Sequence, residues 1–175
     1  MNKDQEQILY NIYQILSSPV FNIEYGDNKY ILSNLIAKYS NCGKLYLSQK
    51  TKDKMDEVGF IYNEEMNYGT KLYGKDSFLY KKHKIRVVAE HLIPCGVILS
   101  LILESDRELG TIKEILDHNV VTIVLKEEDD TINKNKLRSK VTKDFDIVNN
   151  KWGRYEVSNI ELSEDYIVNK GRIFR

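Results

Sequence analysis

The chain reads as an α+β fold, with helices at the N-terminus and a small sheet near the centre. Three observations carry that reading. Ile8, Leu9, Ile12, Ile15 and Leu16 recur at helical spacing, and so do Ile31, Leu32, Leu35, Ile36 and Tyr39. Lys84 to Ala89 and Val120 to Leu125 are short apolar runs rich in β-branched residues, as strands require. Between them, Val97 to Leu103 is apolar nearly all round, the mark of a buried helix.

In chain order, Ser17-Ser18-Pro19 closes the first helix, and Gly26-Asp27-Asn28 reads as a turn before the second. Asn41-Cys42-Gly43 ends that second helix. Leu45 to Leu47 is a short strand. Ser48 is the N-cap of a helix running to about Val58, with Gly59 as its stop. Residues 60–80 alternate weakly and carry Gly69 and Gly74, so one or two weak strands with turns are expected. Pro94 suits the first turn of the apolar helix. Thr111-Ile112-Lys113-Glu114 has capping-box spacing and opens a short helix to Asp117. Glu127 to Leu137 reads as a charged helix. Trp152 to Tyr155 and Ile160 read as a packed C-terminal turn.

The composition is that of an ordinary globule: 175 residues, 42% hydrophobic and 30% charged, with two prolines and so no long linkers. One domain over 1–175 is expected, with 1–58 as a mostly helical N-terminal part. No internal repeat is visible in the sequence. Net charge is zero, from 26 basic and 26 acidic residues, which argues against a protein that coats nucleic acid nonspecifically. The charges are nevertheless uneven. Tyr80 to Arg86 and Lys134 to Lys143 are basic, whereas Glu104 to Asp130 is mostly acidic. That split permits phosphate contacts on one side and metal binding on another; the plainer reading is two solvated surface segments.

Cys42 and Cys95 are isolated, so no zinc ribbon or redox pair is indicated, and Cys95 reads as a buried thiol. A cytoplasmic, reducing setting is expected. The polar N-terminus does not read as a signal peptide. The longest apolar run, Leu92 to Leu103, falls short of the roughly 20 residues that a membrane span needs. No phosphate-binding glycine loop, dinucleotide fingerprint, nucleophile elbow or zinc-protease helix is present.

Three pieces that carry chemistry lie in order. Glu90-His91 follows the Lys84 run, His118-Asn119 precedes the second strand, and Glu127 to Asp130 follows it. A histidine can polarise water, and carboxylates can hold a divalent metal that stabilises charge on a phosphate. Each piece also has a structural reading. His91 would be a core histidine and Glu90 a surface acid paired with Arg86. Asn119 would be a turn residue with His118 its solvated neighbour, and the four acids favourable charge at a helix N-terminus. His83, among lysines, reads as a phosphate or surface contact.

The ordered trio resembles the HNH, or ββα-metal, endonucleases over residues 84–135. Their first motif is an acid and a histidine before an apolar pair and proline, here Glu90-His91-Leu92-Ile93-Pro94. The resemblance implies a ββα-metal-like core with His91 as general base, Asn119 as loop brace, and Glu90 with Glu128 or Asp129 holding Mg²⁺ or Mn²⁺. It implies a DNA phosphodiester substrate, with Lys81, Lys82, Lys84, Arg138 and Lys140 on phosphates. The chain departs from the family in two helices between Pro94 and Asn119, and in acids at the third motif. The second reading, from a different class, is a noncatalytic protein- or nucleic-acid-binding regulator. In it the N-terminal helices and the tyrosine-rich segment form a partner surface, and residues 84–130 are scaffold.

Overall fold

The computed structural model describes residues 1–60 and 77–168. It is a mixed α+β fold of eight helices and one four-stranded sheet among those residues. Helices α1 (Lys3–Leu16) and α2 (Gly26–Asn41) lead into β1 (Lys44–Ser48) and α3 (Gln49–Glu57). Helix α4 (Phe78–His83) precedes β2 (Val87–His91). A second helix pair, α5 (Cys95–Glu104) and α6 (Leu109–Asp117), leads into β3 (Val121–Leu125) and α7 (Lys126–Lys134). Helix α8 (Gly153–Val157) and β4 (Leu162–Val168) complete it. No helix among the described residues is long and apolar enough to cross a membrane.

The strand order is β2-β3-β1-β4, with β1 and β3 parallel at the centre and an antiparallel strand outside each. One face carries Leu45, Leu47, Val121, Ile123 and Leu125, packed against Met55 of α3 and Leu79 of α4. The larger core holds α1, α2, α5 and α6, with Val124 of the sheet, Ile132 of α7 and Tyr155 of α8. α1 packs on α2 and α6, and α5 packs on α2 and α6.

The two halves repeat one plan. Each central strand follows a helix pair and runs straight into a nine-residue helix. In α3 and α7 the same positions are buried, Thr51 with Met55 and Glu128 with Ile132. Both helices end alike. Gly59 and Lys136 take positive φ (66° and 60°), and Phe60 N–H and Leu137 N–H donate back to Met55 O and Ile132 O at 2.9 and 3.1 Å. That is a left-handed C-terminal cap followed by a buried hydrophobic residue. Met55 and Ile132 lie in different core clusters, whereas the two helix pairs share one.

Several expected boundaries move. Gly26 to Asn28 is not a turn but the first turn of α2, where Asp27 sits well against the helix dipole. Helix α6 starts at Leu109, so the Thr111-to-Glu114 spacing falls inside it and makes no cap. Strand β2 starts at Val87 because Lys84 takes φ 60° to close α4. Helix α7 stops at Lys134 for the same reason at Lys136. The strands expected over 60–80, with turns at Gly69 and Gly74, lie mostly outside the described residues; where description resumes, Ser77 caps a helix. Cys42 is the fully buried thiol and Cys95 is only half-buried; both are free. Helix α8 and Ile160 pack as the turn from Trp152 was expected to.

A side chain with a Cβ at φ 60° costs about 1–2 kcal/mol over the right-handed form, and glycine gives back part of that in entropy. Lys136→Gly is therefore expected to raise stability by about 0.5–1 kcal/mol. Urea unfolding checks this: the midpoint should rise at unchanged slope, and Lys136→Val should lower it.

Candidate functional site

Glu90 and His91 are the last two residues of β2 rather than residues beyond a strand. Neighbours on a strand point to opposite faces, so the two side chains diverge. Glu90 turns to the face that carries α8. Its partner is Arg154, not Arg86, because four residues along a strand separate side chains by about 13 Å. Arg154 is 1% exposed. Its Nη2 donates to Glu90 Oε1 at 2.6 Å and to Arg138 O at 3.3 Å, and its Nη1 donates to His91 O at 2.7 Å and Leu92 O at 3.1 Å. Burial raises the Glu90 carboxyl above its ordinary range, against the pull of the guanidinium beside it.

His91 turns toward α2 and hydrogen-bonds to the backbone of Ala37. Its Nε2 is shielded from solvent, with no partner among the described residues. Burial lowers its pKa below the ordinary 6.5, so the ring is neutral at pH 7. A neutral imidazole is the form a general base needs, but this nitrogen faces the interior and not a phosphate.

Asn119 is 2% exposed just before β3, and its Oδ1 accepts from Ile93 N–H at 3.2 Å. It thus ties the segment after His91 to the start of β3, as a loop brace would. Glu128 lies at the other end of β3. Its Oε2 accepts from Leu125 N–H at 2.8 Å and from Ser48 Oγ at 2.6 Å, joining the C-terminal ends of the parallel strands. Asp129 pairs with Lys126 Nζ at 2.5 Å, as does Asp130. Among the described residues no group of three His, Cys, Asp or Glu side chains converges as metal ligands. As arranged here, Glu90, Glu128 and Asp129 do not fit a Mg²⁺ or Mn²⁺ ion, since each carboxylate already serves a protein partner.

The expected phosphate contacts form two separate groups. Lys81, Lys82 and Lys84 are exposed on α4 and its cap, beside the start of β2. Arg138 and Lys140 are exposed in the coil after α7, near the end of β2 through the Arg138 carbonyl. His83 is half-buried at the end of α4, and His118 half-buried at the end of α6.

No protein-family model, no curated protein and no solved structure matches this chain.

Sequence reasoning did not find Arg154, whose one signal was a basic residue between Trp152 and Tyr155 in a segment expected to pack. It also did not find the Ser48–Glu128 contact, or the 2.5 Å bond from Tyr39 Oη to Asp117 Oδ1 that joins α2 to α6.

Two outcomes test this description. Arg154→Ala strands a largely buried carboxylate and is expected to cost about 3–5 kcal/mol, whereas Arg154→Met with Glu90→Leu recovers the part owed to the stranded charge and not the part owed to the three carbonyls left without their donor; calorimetric melting of the three proteins decides. The second concerns His91. A histidine with a lowered folded pKa takes its proton more readily when unfolded. The stability it contributes is complete above pH about 6.5 and is lost as pH falls through that value toward the folded pKa. Between pH 7 and 5.5 the melting temperature of the wild type should fall more steeply than that of His91→Asn.

Proposed function

We propose that this protein is a noncatalytic binding protein of the cytoplasm, in which residues 84–135 serve as scaffold. The observation that carries this reading is the Glu90–Arg154 ion pair. The acid that would hold a metal already has a fixed cation at 2.6 Å, and that cation is anchored by three backbone carbonyls. Glu128 is committed to the strand ends in the same way. Both residues act as braces, and braces rather than reactive groups are what a scaffold needs. The partner is a nucleic acid or a protein.

The second reading is a metal-dependent endonuclease acting on DNA with Mg²⁺ or Mn²⁺. Two observations favour it: the Asn119 brace on Ile93, and the antiparallel β2–β3 pair followed directly by α7. It would require Glu90 to exchange Arg154 for the ion.

Melting and plasmid nicking, each with Mg²⁺ and with Mn²⁺, separate the two. The binding reading expects no rise in melting temperature and no nicked plasmid, since a ligand that binds only the folded state must stabilise it. A metal-dependent rise that disappears in Glu90→Ala, or nicking that disappears in His91→Ala, would establish the nuclease instead.

A further inference from the structure

A cleft of about 430 Å³ opens at the end of β2 remote from His91, between α3, the close of α4 and the β3–α7 junction. Its lining includes the cations Lys54, Lys84, Arg86 and Lys126 against the carboxylates Glu57 and Glu127. Among the lining residues the cations outnumber the carboxylates, and Asp129 and Asp130 hold Lys126 from α7. Ile85 and Leu125, both buried, form its apolar floor.

The cations are held on fixed backbone. Lys126 N–H donates to Arg86 O at 2.9 Å, which sets those two residues side by side. Lys84 occupies the left-handed cap of α4, with its N–H on Tyr80 O at 3.0 Å and the next N–H, of Ile85, on Leu79 O at 3.2 Å. Arg86 is exposed, its side chain makes no hydrogen bond or salt bridge with the described residues, and it lies within the electrostatic reach of Asp130. An exposed guanidinium offers a planar fork matched to phosphate oxygens. Lys54 meets Glu127 at 3.8 Å, and Lys126 meets Asp129 and Asp130. The Lys54–Glu127 pair is exposed and contributes little, so an arriving anion can recruit that lysine, whereas at Lys126 it must displace Asp129 or Asp130.

We propose that this cleft binds the phosphate of a nucleotide unit, free or within a nucleic-acid strand. The inference rests on the binding reading above and gives it a ligand class. The volume lies within the roughly 300–1,000 Å³ of small-molecule sites, enough for one nucleotide unit and not for a folded partner. The apolar floor suits a sugar or base, and the cationic rim suits the phosphate.

The test uses the full chain and a fluorescently labelled, mixed-sequence single-stranded DNA, read by anisotropy. Competitors are the same sequence as duplex, adenosine 5′-monophosphate and inorganic phosphate. Binding should weaken with salt along a log–log slope of about −2, as about three phosphate contacts to a single strand imply. Arg86→Gln with Lys126→Gln should weaken binding roughly tenfold and flatten that slope by about one or more. Arg138→Gln with Lys140→Gln, at the other end of β2, should stay within about twofold. Circular dichroism confirms that both variants fold. Displacement by the mononucleotide assigns a free nucleotide, and displacement by nucleic acid alone assigns a strand; either supports the cleft. Binding by neither strand nor mononucleotide overturns the inference, as does unchanged affinity in the Arg86/Lys126 variant. A strand that is cut would end the noncatalytic reading and leave the cleft standing if that variant still loses affinity.

Discussion

The guanidinium of Arg154 is the constraint on which much of this architecture depends. A charge that is 1% exposed must be paired and hydrogen-bonded, or the fold carries its full desolvation cost. Here four acceptors meet it, from Glu90, His91, Leu92 and Arg138. They come from the end of β2, the segment that follows it and the coil after α7. One side chain on α8 therefore fixes the position of three stretches of chain. Because α8 stands just before β4, the same contact sets where the last strand leaves to pair with β1.

A second buried group does similar work at the opposite end of the sheet. Glu128 closes the two central strands together through Leu125 N–H and Ser48 Oγ. In the other half the matching position is Thr51, whose N–H donates to Ser48 Oγ at 3.2 Å. The halves share backbone and burial but not chemistry, which is why no repeat was visible in the sequence. Thr51 stands against Glu128, Met55 against Ile132, and Gly59 against Lys136. What repeats is a strand, a helix of one length, a left-handed stop and an apolar residue after it, and many residue types satisfy each.

Periodicity gave α1, α2, α5 and the central strands, because those elements bury a clear apolar face, and cap signals gave α3 and α6; neither gave α4, which lies where weak strands were expected. Nor did either give β4. Leu162 to Val168 opens with Ser163, Glu164 and Asp165, and its strand character comes from pairing with β1 rather than from its own pattern. The site was less legible still. Glu90 and His91 adjoin in sequence, and on a strand adjacency sends side chains apart. The acids after β3 follow Asn119 in order, yet Glu128 lies at the far end of that strand from His91, because β2 and β3 run antiparallel with His91 opposite Val121 and Val87 opposite Leu125. Arg154 lies 64 residues from Glu90, and no local signal announces such a partner.

The same antiparallel register separates binding from the residues that resemble catalytic ones. Arg86 and His91 stand five positions apart, about 16 Å along an extended chain. A phosphate held at Arg86 and Lys126 therefore lies well outside the reach of a base, which must come within hydrogen-bond distance of the attacking water. The carboxylates around that phosphate, Glu127, Asp129 and Asp130, are each paired with a lysine. On the proposed reading an anion is bound at one end of β2, while Glu90 and Arg154 brace the core at the other. Recognition without cleavage is the outcome that this separation, the length of a single strand, is proposed to give.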